Sequence, residues 1–464
     1  AFNSGSFLFS AAADELNEYV AFRGASFPLP AYEKEIENQD LQGMVVPEMV
    51  IVVHPNFLTA AQELADFHNS VDNVQTAVVT TNEVYNEYSS GGQDITAIRD
   101  FTKDLYDRST NGEFKYLLLF GDASYDYKDR VNGNNNYVPV WQSNASFNLG
   151  SSFITDDYYG YMDVGENNNS FSGALIDIGI GRIPCESLTQ ARQYVAKVKN
   201  YATATASFGD WRNRVLLLAD DADLSWEPRY FIADGSEELE KKALNASTAF
   251  NVEKIYSDAY QQVSTTGSET YPEASRDMFR KVQQGCLITN YVGHGGEIGL
   301  SSEKLLTLQH VNDWTNFDAL SLFITITCEF TRFDDPKRVS AGGQLLLNPR
   351  GGAIALLTTT RVVGVQPAVD LNLAIFDTIL ARPNGRPQTL GQILKSAKNV
   401  DTLTNNIDRN KFSLIGDPAL RLAIPLHNVK TTSINGKDPT QVALDTLQAL
   451  SKVNLTGRVE DFDG

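Results

Sequence analysis

Residues 286–330 constrain this chain more than any other stretch. Cys286-Leu-Ile-Thr-Asn-Tyr-Val292 and Leu320-Ser-Leu-Phe-Ile-Thr-Ile-Thr327 are short, apolar, rich in β-branched residues and free of charge. That is the pattern of strands covered on both faces. Between them, residues 303–314 read as a helix with Leu305, Leu306 and Leu308 turned inward. A strand, a crossover helix and a second strand make a right-handed parallel unit, so both strands end on the same edge of a sheet. In open α/β sheets that carboxyl edge is where ligands bind. His294, in Tyr291-Val-Gly-His-Gly-Gly296, and Cys328, in Cys-Glu-Phe330, are thereby brought to one rim, 34 positions apart. A thiol beside an imidazole is an activated nucleophile.

Composition narrows the partners. The chain has 464 residues, too many for one core of ordinary size. Its 38 basic and 58 acidic residues leave a net charge of −20, which argues against nucleic acid and against anionic membrane faces. No run of 18 apolar residues is present, so no helical membrane span is expected. The opening Ala1-Phe-Asn-Ser-Gly has neither Met nor a signal-peptide pattern, and the chain is read as a piece of a longer, exported protein. Three cysteines cannot make a disulfide framework and leave at least one free thiol.

Residues 1–45 read as the end of a β-rich module plus a linker, with β character at 16–22 and 25–30. An α/β rhythm follows. In residues 46–205, strands are expected at 49–54, 75–80, 115–121 and 176–183, and helices at 58–68, 94–108 and 188–201. Residues 123–172 break the rhythm with Asn-rich and Tyr-rich loops. An insertion of that length is expected to be functional or flexible. In residues 206–425, strands are expected at 214–219 and 252–256, then the pair that holds His294 and Cys328, then 352–358 and a closing strand from Phe412. Helices are expected at 236–247, 271–283, 341–347, 371–380 and 390–397. Residues 426–464 look like the start of a β-sandwich (Ig-like) module.

Cys328 ends a buried strand, and the bland reading is a packed core thiol. Against that stand the matched histidine and the Gly295-Gly296 pair, which leaves backbone N–H groups bare. The N–H groups of Gly295 and Cys328 suit the oxyanion of a tetrahedral intermediate. Cys185 and Cys286 read as structural, and His54, His68 and His310 as solvated or satisfied side chains. A catalytic base needs an orienting acid. Asp220, Asp221 and Asp223 end a strand of the same half and are candidates, with a solvated acidic loop or a cation site as alternatives. Asp122, Asp156 and Asp157 are expected to hold the insertion, for which a structural calcium is suited. Glu329 and Arg361 are candidates to line a substrate pocket, and a plain surface arginine is the alternative for Arg361. No phosphate-binding glycine motif is present, and no cofactor is required.

Taken jointly, Tyr291-Val-Gly-His-Gly-Gly296, Cys328, Gly121-Asp122-Ala-Ser-Tyr-Asp126, Thr155-Asp156-Asp157-Tyr-Tyr159, Gly181-Arg-Ile-Pro184 and Gly416-Asp-Pro-Ala-Leu-Arg421 resemble the gingipain family of cysteine peptidases. The resemblance runs from about residue 46 to 425. It implies a caspase–hemoglobinase-like α/β fold, with open, mostly parallel sheets flanked by helices in two subdomains and β-module remnants at both ends. It also implies a catalytic His294, a nucleophilic Cys328, and an orienting acid at Asp220 or Asp221. Within the family, Cys328-Glu-Phe-Thr-Arg332 and the flanking β-modules resemble the type IX secretion C-terminal signal peptidases. Those are sortase-like enzymes that remove a C-terminal sorting domain from cargo proteins and attach the cargo to anionic lipopolysaccharide. They act at the outer membrane, on the cell surface, alongside other secretion components. The acid that reads a basic P1 residue in secreted gingipains has no aligned counterpart; Asp234 lies near its place. A catalytically silent scaffold subunit and a secreted protease without transpeptidase activity are the competing expectations.

Overall fold

The computed structural model describes residues 2–3, 6–7, 9–10, 18–20, 31–32 and 35–461, apart from 145–147, 149, 167–170, 248, 267 and 441–445. The chain divides into two units, Ala1–Asp40 and Leu41–Gly464. In the first, Phe2–Asn3 pairs antiparallel with Ser6–Phe7. The β character expected at 16–22 and 25–30 falls largely outside the described residues.

The second unit is organised by one ten-stranded sheet. In chain order its strands are β1 (Met49–Val53), β2 (Thr76–Thr80), β3 (Tyr116–Phe120), β4 (Gly179–Ile183), β5 (Arg214–Ala219), β6 (Asn251–Tyr256), β7 (Ile288–Val292), β8 (Ser321–Ile326), β9 (Ala353–Thr359) and β10 (Phe412–Ile415). Their spatial order is β6-β5-β7-β8-β9-β10-β4-β3-β1-β2. Strands β1, β3, β4, β7, β8, β9 and β10 are buried throughout, as uncharged runs require, with Arg182 of β4 the one charged side chain among them.

Every pairing is parallel except β9 with β10. That single reversal divides the sheet into two five-stranded parallel halves of opposite direction. The halves do not follow the chain, because β10, from the second stretch of the α/β region, joins the half built by β1 to β4, and the carboxyl edges of the two halves lie at opposite edges of the sheet. The helices α1 (Leu58–Phe67), α2 (Thr81–Tyr88), α3 (Ile95–Arg108), α4 (Leu188–Thr203), α5 (Glu238–Ala246), α6 (Pro272–Gln284), α7 (Leu308–Asp313), α8 (Ala341–Leu347), α9 (Val365–Ile379) and α10 (Leu390–Lys398) flank it. Sequence-legible caps start several of them: the Ser187 hydroxyl accepts from the Gln190 N–H at α4, and Thr80 with Glu83 closes a capping box at α2, a helix the periodicity did not predict.

One expectation changes. The connector between β7 and β8 is not one helix, because Gly295–Gly296, Gly299–Leu300 and Leu306–Thr307 form a small antiparallel sheet before α7. The helix expected over 303–314 forms only from Leu308, because Leu306–Thr307 is taken up as a strand of that sheet and Thr307 caps α7. The described residues of the insertion after β3 include a packed aromatic cluster. Trp141, Phe153, Tyr158, Tyr161 and Phe171 pack ring against ring, with centroids 4.8–6.5 Å apart.

Two acids of that insertion are held by side-chain cations. Asp156 takes a two-pronged bond from the fully buried Arg182 at 2.7 and 2.8 Å, and Asp157 takes Lys398 Nζ at 2.7 and 2.8 Å. Burial drives the Asp122 carboxyl well above its ordinary range, and it accepts from the Asn135 side chain. Residues His427–Ile434 and Leu455–Asp461 form an antiparallel pair at the end of the chain.

Candidate active site

The strands β5, β7 and β8 end side by side. Val292 pairs with Ala219 on one side and with Ile326 on the other. The β7–β8 pairing keeps an offset of 34 residues, Ile288 opposite Leu322 and Val292 opposite Ile326. His294 and Cys328 have the same separation, so each leaves the sheet two residues beyond the last rung. The Gly293 N–H still reaches the Ile326 carbonyl at 3.2 Å.

Two glycines allow this approach. A Cβ on Gly293 would come 2.3 Å from Asp220 Cβ and 2.6 Å from Tyr291 Oη, so no other residue fits there. One on Gly295 would come 2.6 Å from Thr327 Oγ1, which puts the histidine loop against the residue preceding Cys328. At Gly296 a Cβ would meet nothing within 4 Å, and the open side of the loop begins there.

The backbone of His294 is held from two sides. Its N–H donates to Asp220 Oδ2 at 2.8 Å and its carbonyl accepts from Tyr291 Oη at 2.6 Å. The imidazole packs edge-on against Phe231, with centroids 5.5 Å apart. Its Nε2 lies 2.8 Å from Glu227 Oε1. Glu227 is 1% exposed, and its other oxygen accepts from the Leu224 N–H at 2.5 Å. An ionised carboxylate can only accept, so Nε2 carries the hydrogen and Nδ1 is left as the basic nitrogen. The side chain is 55% exposed, so the ring is fixed at one end and open to the rim.

This corrects the expected orienting acid. Neither Asp220 nor Asp221 bonds to the ring. Asp220 binds the backbone, Asp221 accepts from Tyr271 Oη at 3.2 Å, and the buried glutamate of the following loop takes the imidazole. Burial pushes the Asp220 carboxyl up to about 7, with the His294 N–H opposing.

Cys328 is half-buried, whereas Cys185 and Cys286 are buried. Burial pushes the Cys328 thiol above its ordinary value, opposed by a bond from the Val363 N–H. A thiol raised in this way rests protonated and needs a base to become a nucleophile. Burial pushes Cys286 up to about 12 and Cys185 well above the usual thiol range, so neither competes.

Glu329 adopts φ 53°, an unusual backbone for a non-glycine, and its Oε1 is buried without a hydrogen-bond partner. It stays a candidate for contact with substrate. Arg361 does not, because it is 5% exposed and both of its terminal nitrogens are taken by Asp334 at 2.5 and 2.9 Å. Three of the other histidines are held by hydrogen bonds. His54 Nδ1 accepts from the Asn56 N–H, and His310 Nδ1 accepts from the Thr307 N–H. His68 lies 2.7 Å from both Asp72 and Asp417.

The model of peptidase family C25 matches residues 45–423. The chain belongs to that family. Among solved structures, this C25 chain is similar to the Arg-specific cysteine proteinase gingipain R (RgpB), at 16% identity and a TM-score of 0.62 over 85% of this chain and 83% of that one. The complex of Porphyromonas gingivalis RgpB pro- and mature domains matches at 17% identity and a TM-score of 0.61, covering 83% of this chain and 82% of that one. Dimeric latent PorU from Porphyromonas gingivalis matches at 22% identity and a TM-score of 0.50 over 92% of this chain, which spans 35% of PorU. No curated protein matches. The C25 chain is thus a cysteine-peptidase family member with the mostly parallel, helix-flanked gingipain fold. No helix among its described residues is long and apolar enough to cross a membrane.

The glutamate was the residue that sequence reasoning missed in this C25 chain. Glu227 lies beyond the strand-end acids, between Trp226 and Pro228, and only the fold of the loop turns it back to the histidine. The adjacent aromatic and proline were the available signal, and they are weak.

Proposed function

We propose that this chain is a cysteine endopeptidase whose working group is Cys328, His294 and Glu227. The observation that carries the reading is the 2.8 Å bond between His294 Nε2 and the buried Glu227, on a histidine two residues past the rung it shares with the nucleophile strand. His294 Nδ1 takes the Cys328 proton as the sulfur attacks a peptide carbonyl, and Glu227 stabilises the imidazolium that forms. The N–H groups of Gly295 and Cys328 receive the oxyanion. The imidazolium then protonates the leaving amine, and a thioester remains on Cys328.

The finer reading concerns who resolves that thioester. We infer a sortase-like transfer: the sorting signal of a type IX secretion cargo leaves as the amine product, and a nucleophile on anionic lipopolysaccharide takes the acyl group at the cell surface. What supports this is the likeness to PorU across most of the chain.

The test is labelling with an electrophilic thiol probe and peptide mapping, on wild type, His294→Ala and Glu227→Gln. Selective modification of Cys328 that slows sharply in both variants supports the triad. Labelling that is indifferent to both overturns it. Acceptor choice is read by incubating the enzyme and a cargo-tail peptide with anionic lipopolysaccharide and following product masses. Only hydrolysed peptide in the presence of the acceptor overturns the transfer and leaves the peptidase.

A further inference from the structure

The loop that carries His294 cannot hold itself. From Gly293 to Leu300, four of the eight residues are glycine, and the strands Gly295–Gly296 and Gly299–Leu300 are two residues long. Glycine leaves the backbone its widest freedom, and so short a hairpin is not stable alone. Asp220 and Glu227 hold His294 from the β5 side. Neither bond reaches the loop that carries Cys328.

That side is held at the hairpin tip by Glu297, three residues past His294. Its carboxylate accepts from Arg332 Nη1 at 2.8 Å and from Arg338 Nη1 at 2.9 and 3.1 Å. Its carbonyl accepts from the N–H of Ala341, the first residue of α8, at 2.6 Å. Arg332 and Arg338 lie four and ten residues past Cys328. Among the described residues, every hydrogen bond that joins 294–302 to 328–341 ends on Glu297. The helix on which it rests is itself anchored, because the Leu346 carbonyl in the last turn of α8 accepts from the fully buried Lys197 Nζ at 2.6 Å.

The Glu297 and Arg332 side chains are 12% and 17% exposed, so water screens their attraction little, whereas Arg338 is 58% exposed. Burial works against the charge on Glu297, yet Arg338 and Arg332 hold its carboxyl below the ordinary range. On the reading that Cys328 and His294 react together, we propose that Glu297 is a positioning residue: it clasps the histidine loop to the loop that follows the nucleophile and so sets the approach of His294 to the thiol. It takes no part in the chemistry and acts through the loop it anchors. A displacement of about 1 Å at such a pair costs on the order of a hundredfold in rate.

The test is the rate of Cys328 alkylation by iodoacetamide across pH, on the full chain, in wild type, His294→Ala, Glu297→Gln, Arg332→Gln and the Glu297→Gln/Arg332→Gln double variant. Near neutral pH the thiol ionises only with help from the histidine, and at alkaline pH it ionises unaided. Glu297→Gln is expected to slow labelling at neutral pH by about tenfold or more and to converge on wild type at alkaline pH. Its Tm should change little, since Gln still accepts and Arg332 keeps Asp335 at 3.5 Å. Arg332→Gln should match it, and the double variant should lose no more than either single one, because both remove the same contact. A merely structural loosening would instead expose the thiol and speed labelling at every pH, and that result overturns the clasp. So do losses that multiply in the double variant, or wild-type labelling that needs His294 but is unchanged in Glu297→Gln, which leaves the peptidase standing. Labelling indifferent to His294 overturns both.

Discussion

Glu227 Oε1 stands 2.8 Å from His294 Nε2, and this pairing decides which imidazole nitrogen is free to act. Because the carboxylate is buried and takes a second bond from the Leu224 N–H, it holds the ring in one tautomer. Glu227→Gln preserves the shape but lets the amide donate to Nε2 and favour the wrong tautomer. The expected result is a loss of about a hundredfold or more in kcat/KM with little change in Tm. Asp220→Asn, which can still accept from the His294 N–H, should cost far less activity. Steady-state kinetics with a peptide substrate checks both.

The three thiols differ in accessibility and in charge state. Under native conditions an alkylating probe should modify Cys328 and leave Cys185 and Cys286 untouched, because burial raises the latter two far above neutral pH. Unfolding in denaturant should expose all three. Intact-mass analysis reads one adduct in the first case and three in the second.

His68 supplies a pH signature unrelated to catalysis. Burial alone lowers its pKa, and the Asp417 and Asp72 carboxylates more than reverse this, raising it to about 10. The folded state therefore keeps a proton that the unfolded chain releases near pH 6.5. The contribution is whole below about pH 6.5 and is lost as pH rises to about 10, and over that window it amounts to about 5 kcal/mol. Urea midpoints measured across the window should fall with rising pH, and His68→Gln should flatten that slope.

Arg361 and Asp334 form a buried pair, 5% and 1% exposed. Arg361→Gln leaves an uncompensated carboxylate and should destabilise the fold by about 3–5 kcal/mol. A substrate-binding arginine would instead raise KM at unchanged Tm. Thermal melts and KM together tell the two roles apart.

Much of the fold was legible because its strands announce themselves. Charge-free runs such as 116–120 and 322–326 can only be covered on both faces, and caps such as Ser187 mark helix starts. Placing His294 and Cys328 on adjacent strand ends followed from the handedness of parallel crossovers, which is local and general. The small sheet at Gly295–Gly296, Gly299–Leu300 and Leu306–Thr307 was not legible, since strands of two residues carry no periodicity.

The sequence by itself determined which residues the strand ends carry: a cysteine after β8, a histidine between glycines after β7, and acids after β5. Tertiary structure alone decided their partners. Eight residues past β5 the chain turns back and sets Glu227 on the imidazole, while Asp220 takes the backbone and Arg361 is consumed by Asp334. The physical reason is that a strand transmits position by its fixed rise and register, which a sequence displays. A loop transmits position through contacts between residues far apart in the chain. Those contacts exist only once the sheet has brought them together.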